Sequence, residues 1–310
     1  MFKTALRITD APEGHIDFVT QMKSTSPSWW VAAARRFTYN RVSMGAAGLL
    51  LLIVLASTFA PFFSGHDPAK QYRKDGLKNG LPVGPTDQFV LGTDGFGRDL
   101  LTRLMYGGRV ALLVGIFASG ISVIIGTIIG SIAGLVGGGV DTLIMRLVDI
   151  VLSLPTLFVI LLFVSLLKPS LGITIVVIAA LSWAGPTRVF RAEVSSLRER
   201  EFITAARSLG TPTPQIFLRH ILPHLLPLIM IYISLGVPTA IFAEASLGFL
   251  GLGVPPPTAT WGNMMQVGIG FYRASPIQIV APGIAIVFTV VCFNLVGSGL
   301  RDALDPTVSR

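Results

Sequence analysis

The chain has 310 residues, 52% of them hydrophobic and 13% charged, with a formal net charge of +8. A soluble domain carries about 25% charged residues, so this composition, with its apolar residues gathered in long runs, excludes an ordinary soluble globule and points to a chain dissolved in lipid. The basic balance fits a membrane protein that keeps Lys and Arg on one side of the bilayer, and no basic stripe interleaved with aromatics points to nucleic acid.

Residues 1–43 are polar and mixed, with Lys3, Arg7, Lys23, Arg35, Arg36 and Arg41. Within them, the stretch from Trp29 to Phe37 combines paired Trp with paired Arg, a composition suited to a short helix in the headgroup layer. The first apolar run, 44–63, has the length that crosses a bilayer, and its long polar leader makes it a retained span rather than a cleaved signal. Residues 64–109, punctuated by Pro68, Pro82 and Pro85, are expected to form a small flap outside the membrane. The second span, 110–136, contains Gly126 and Gly130, small residues four apart that let two helix backbones approach closely in lipid.

Gly137-Gly138-Gly139 makes a turn into the third span, 143–167, where Pro155 predicts a kink. The fourth span, 171–190, leads into a charged stretch, 191–221, that is too polar to cross. The fifth span is 222–250, the loop 251–276 is rich in Gly, Trp and Met, the sixth span is 277–300, and a tail covers 301–310. Because these runs are continuous and lack period-two alternation, they read as helices rather than barrel strands. The expected fold is an all-α integral membrane protein with six transmembrane helices and both termini on one side. With the N-terminus inside, 15 of the 24 Lys and Arg residues fall in the cytoplasmic segments and the span ends beside them, 1–43, 137–146, 188–222 and 300–310, the bias that orients such proteins.

The stretch Glu201-Phe202-Ile203-Thr204-Ala205-Ala206-Arg207-Ser208-Leu209-Gly210 reads as a short surface helix, apolar on one side through Phe202, Ile203, Ala206 and Leu209. Gly210 ends it, and Thr211-Pro212 sets up a new helix start. A compact helix with small residues suits insertion into a partner's groove, which makes Glu201, Phe202, Thr204, Ala205, Ala206, Ser208, Leu209 and Gly210 the candidate interface.

Other residues are weighed between a functional and a packing role. Glu244, in the fifth span, is expected to face the bundle interior or water because a carboxylate in lipid is costly; it serves either a substrate pathway or a helix-pairing or loop-anchoring contact near the outer surface. Arg146 and Asp149, three apart on one helix face, are expected to form a structural ion pair. Arg98, Asp99 and Arg103 either meet a partner or hold the flap against the bundle. Trp261, Met264 and Met265 either rim the outer mouth, where soft side chains accept varied ligands, or pack. His220 and His224 have a chelating spacing but no third ligand nearby, and the lone Cys292 excludes a cysteine-cluster site, so no metal site is expected. No frame for covalent catalysis is present.

The 201–210 stretch, continued to Leu222-Pro223, resembles the coupling loop of binding-protein-dependent ABC importers, whose pattern is Glu-Ala-Ala, three residues, Gly, nine residues, then Ile, any residue and Leu-Pro. Thr204-Ala205-Ala206, Gly210, His220 and Leu222-Pro223 occupy those positions, with Thr204 where Glu is usual and His220 where Ile is usual. Four further segments extend the resemblance to the oligopeptide/dipeptide branch and its C-type transmembrane subunit: Leu91 to Arg109, Met145-Arg146-Leu147-Val148-Asp149, Leu247 to Gly253 with Pro256-Pro257 and Trp261-Gly262, and Phe293 to Pro306.

The resemblance implies a type I ABC importer permease fold in the bacterial cytoplasmic membrane. It also implies a heterodimeric pore with a B-type permease, two cytoplasmic ATPases that use ATP and Mg, and an extracytoplasmic peptide-binding protein. The chain itself has no Gly-Lys pair and hence no phosphate loop, so it is expected to bind no cofactor and to be no enzyme. Within the same architecture the solute is open between peptides and nickel, glutathione or another small solute. From another class, an ion-coupled secondary carrier expects inverted repeats and paired intramembrane charges, and a channel expects a filter.

Overall fold

The computed structural model describes residues 29–304. The polar leader up to residue 28 and the end of the tail, 305–310, lie outside the described residues. In chain order the helices are α1 Trp29–Tyr39, α2 Arg41–Thr58, α3 Ala60–Ser64, α4 Leu100–Val136, α5 Gly138–Ser153, α6 Thr156–Leu166, α7 Leu171–Ser182, α8 Ala184–Arg198, α9 Glu201–Ser208, α10 Thr213–Ile216, α11 Leu222–Phe249, α12 Trp261–Ile269 and α13 Ile277–Leu304. A five-residue π-helical segment, Phe217–Ile221, joins α10 to α11.

Four helical stretches are each long and apolar enough to cross a membrane: α2, α4, the run from Thr213 through Phe249, and α13. Two further pairs reach that length together, α5 with α6 bent by 85° and α7 with α8 bent by 45°. The six runs read from sequence overlap these four helices and two bent pairs, although α8 continues to Arg198, past the end of the fourth run. The kink expected at Pro155 is a full break: Leu154 is extended, and Pro155 precedes the first residue of α6, as a residue without a backbone N–H requires.

α4 starts ten residues before the apolar run does. Asp99 caps it, accepting from the Thr102 N–H at 3.1 Å and so satisfying one of the free donors of a first helical turn. The 37-residue α4 is the spine of the bundle, with α8 along one side and α11 along another. The close approach to α8 follows from its glycines. A methyl group at Gly126 would stand 2.8 Å from Cβ of Pro186, and one at Gly130 would stand 2.6 Å from the Thr187 carbonyl. α13 packs against α11, α12 and α2, and the Ser43 hydroxyl donates to the Leu295 carbonyl at 3.0 Å.

The flap is small but ordered. A two-residue hairpin, Leu77–Lys78 with Leu81–Pro82, lies beside Phe89, which is buried against the rings of His66 and Tyr72. The Thr93 hydroxyl donates to the Gly76 carbonyl and accepts from the Val83 N–H. Arg103 Nη1 donates to the Pro68 carbonyl at 3.0 Å and to that of Pro257 at 3.4 Å. For Arg103, these bonds hold the flap against the bundle.

Candidate functional site

α9 sits at the end of the bundle opposite the flap. Its one fully buried side chain is Ile203, which joins a cluster with Phe190, Val194 and Leu197 of α8, Ile216 and Ile221, and Leu225 of α11. Burying such a side chain stabilises by about 1.5–3 kcal/mol, enough to fix a helix only two turns long. Ala206, half-buried, packs against the same cluster. The expected apolar side is therefore narrower than the sequence pattern: Phe202 is 42% exposed and Leu209 86% exposed.

The opposite face carries Glu201, Thr204, Ala205 and Ser208, all exposed. Their spacing of three and four residues puts them in one stripe along α9. Leu209 continues it as a large apolar side chain turned away from its own chain. The helix ends in a Schellman motif: the Gly210 N–H donates to the Arg207 carbonyl at 3.0 Å and the Thr211 N–H to the Ala206 carbonyl at 3.1 Å. Gly210 adopts φ of 78°, a left-handed conformation that glycine takes without steric cost. The chain then reverses into α10 and, through the π segment, runs without a break into α11.

Phe202 and Ile203 connect α9 to the transmembrane part. The Phe202 ring stacks on His224 of α11, and the Ile203 cluster joins α8 to the α10–α11 run. His224 Nδ1 lies 2.6 Å from the His220 carbonyl, so the backbone occupies one nitrogen of the supposed chelating pair. Among the described residues, no group of three or more His, Cys, Asp or Glu side chains could hold a metal ion.

The Arg146–Asp149 pair is corrected by the structure. Asp149 pairs instead with Arg188, and Asp141 makes a two-pronged pair with Arg191, whose Nε lies 2.9 Å from Oδ1. Cross-helix geometry prevails over the i, i+3 spacing because the bend between α7 and α8 lays the two arginines along α5. Arg198 adds a bond from Nη1 to the Leu135 carbonyl at the end of α4. These bonds, and the π segment, escaped the sequence reading. Arg188 and Arg191, three apart on one face, were the available signal for the first; the π segment has no sequence signature here.

Glu244 is 0% exposed, and no donor of good hydrogen-bond geometry reaches its carboxylate among the described residues. It therefore faces the interior of α11's packing surface, near Thr260. For Trp261 and Met264, the packing reading holds. Both are buried in a core cluster with Leu100, Ala111, Ile241 and Ile286, and the Trp261 Nε1–H donates to the Leu104 carbonyl at 2.8 Å. Met265 is half-buried and lines an apolar cavity with Leu157, Phe242 and Phe249.

Comparison with known proteins gives the class, the membrane components of binding-protein-dependent transport. Residues 126–310 match that family, the binding-protein-dependent transport system inner membrane component, and residues 28–79 match the N-terminal TM domain of oligopeptide transport permease C. The oligopeptide transport system permease protein OppC of Haemophilus influenzae is 39% identical over 299 residues, covering 96% of this chain and 94% of that protein. OppC of Escherichia coli K12 is 38% identical over 293 residues, covering 94% and 95%. The dipeptide transport system permease protein DppC of Bacillus subtilis is 36% identical over 290 residues, covering 93% and 89%. The chain belongs to the binding-protein-dependent transport system inner membrane component family.

Proposed function

We propose that this chain is one of two transmembrane subunits of an ATP-driven importer of short peptides in the bacterial cytoplasmic membrane, with both termini in the cytoplasm. A B-type permease completes the pore, two cytoplasmic ATPases hydrolyse ATP with Mg, and an extracytoplasmic binding protein delivers the peptide. The observation that carries this reading is α9: an exposed stripe of Glu201, Thr204, Ala205 and Ser208 on a helix rooted in the bundle by Ile203.

Such a helix is a mechanical element. When the ATPases close on ATP, a helix seated in each of them moves with its ATPase. Because Ile203 and Phe202 fix α9 to α8 and α11, the displacement passes to both bent and straight spans rather than being absorbed by a loop. The pore then exchanges between two access states whose relative populations follow the nucleotide. Peptides are favoured over nickel, glutathione or an ion-coupled solute by the relatives, which are named for oligopeptides, dipeptides and, in Pseudomonas aeruginosa, di- and tripeptides.

The test is purification of the tagged chain in mild detergent, followed by reconstitution with its co-purifying subunits. Recovery of a second permease and two ATPases, with ATP-dependent uptake of di- or tripeptides, supports the reading. Uptake driven by a proton gradient without ATP contradicts it.

A further inference from the structure

At the flap end of the bundle, a cavity of about 360 Å³ opens between the flap, the loop after α11 and α12, within the range of small-ligand sites. Arg98 and Arg103 both line it, with Gln71, Gln266, Asn263 and Phe96, and no acidic side chain is among its lining residues. The two arginines are 6% and 2% exposed. Buried guanidinium groups ordinarily each have a carboxylate, but here the pair shares one. Asp94 Oδ2 lies 2.7 Å from Arg98 Nε and 3.4 Å from Arg103 Nε. Asp99, the other buried acid of the flap, is turned to Thr102 and His66.

The remaining donors are oriented by this arrangement. Arg103 spends Nη1 on the Pro68 and Pro257 carbonyls. Arg98 bonds Asp94 through Nε, and among the described residues its two Nη groups meet no acceptor. The Phe96 ring lies 4.8 Å below its guanidinium and holds the plane of the fork. A planar fork with two free N–H edges suits a carboxylate. Asn263 is occupied by the cap of α12, whereas the amides of Gln71 and Gln266 offer donors beside that position.

We infer that this cavity binds the C-terminal carboxylate of a peptide in transit, with Arg98 as the principal contact and Arg103 as the second positive charge. A chain end presents a carboxylate followed at once by peptide N–H and C=O groups, which is what two arginines flanked by carboxamides accommodate. Phe96, 49% exposed, provides an apolar ledge for the terminal side chain. The inference rests on the peptide-importer reading and names a contact within it.

The experiment uses the complete importer in proteoliposomes with ATP, comparing initial uptake of trialanine with that of its C-terminal amide. The acid-to-amide ratio within one preparation is independent of how much complex is folded, and the binding protein is the same in every arm. Arg98→Gln is expected to lower that ratio about tenfold, the effect of losing a charge-assisted contact. Gln266→Leu, which leaves the Asp94 network untouched and serves where the arginine variant does not assemble, is expected to lower it about threefold. A ratio unchanged in both variants overturns the inference alone. So does an Arg98→Gln complex that needs more binding protein for half-maximal uptake of both peptides equally, since the carboxylate then belongs to the binding protein. Failure of the unaltered importer to move either peptide overturns the importer reading and this inference with it.

Discussion

The rings of Phe202 in α9 and His224 in α11 stack with centroids 5.4 Å apart and planes 19° apart. Aromatic pairs of this kind contribute about 0.5–1.5 kcal/mol beyond the area they bury. That is small for folding but substantial for holding a two-turn helix at a fixed angle to the span it rests on. Phe202→Ala is expected to leave ATP turnover within about twofold while lowering peptide uptake per ATP several-fold, measured in the same proteoliposomes. A tyrosine at this position should restore it.

Thr204 stands where the family pattern has Glu, yet Glu201 lies one turn earlier on the same exposed stripe. A carboxylate is therefore present on the exposed face of α9, displaced by about 4.5 Å along the axis. Thr204→Glu is expected to change transport by less than about twofold. Glu201→Ala, which removes an acid from the first turn as well as from the face, should lower it by more, in steady-state uptake assays at matched membrane levels.

The Asp141–Arg191 pair joins α5 to α8 through two parallel bonds. At partial exposure, losing it costs about 1 kcal/mol. Asp141→Asn and Arg191→Gln should each lower the melting temperature of the purified chain in detergent by a few degrees. The exchange of both residues should recover most of that loss. If the exchanged protein melts no higher than the single variants, the pair does not act as a unit.

Gly130 touches α8, whereas at Gly120 an added methyl group meets nothing within 4 Å. Gly130→Leu is expected to disrupt the α4–α8 crossing and reduce the yield of folded protein several-fold, since overpacking at a tight contact costs about 1–3 kcal/mol. Gly120→Leu should have little effect. Size-exclusion profiles in detergent distinguish the two.

How far the sequence alone reaches depends on which force decides each feature. The apolar runs were legible because burial in lipid writes itself as continuous hydrophobicity, and the order of the spans follows directly. The start of α4 was not, since Asp99 extends the helix through polar residues that hydropathy assigns to a loop. The bend at Pro155 was visible as a proline, but its angle of 85° depends on packing that one residue does not encode. The α9 stretch stood out by spacing, and its buried side was overdrawn: amphipathic periodicity places Leu209 inward, whereas the turn at Gly210 leaves it outside. Asp149 was matched to its neighbour in sequence because the tertiary partner, Arg188, is 39 residues away.

Cross-linking at Ala205 tests the central claim most directly. With Cys292→Ser as background, Ala205→Cys places a lone thiol in the middle of the exposed stripe of α9. In membranes containing the full set of subunits, a short bifunctional reagent is predicted to join this position to an ATP-hydrolysing subunit, with a yield that changes when ATP is added. A thiol that reacts only with reagents confined to the outside of the cell, or that never captures an ATPase, would contradict the account.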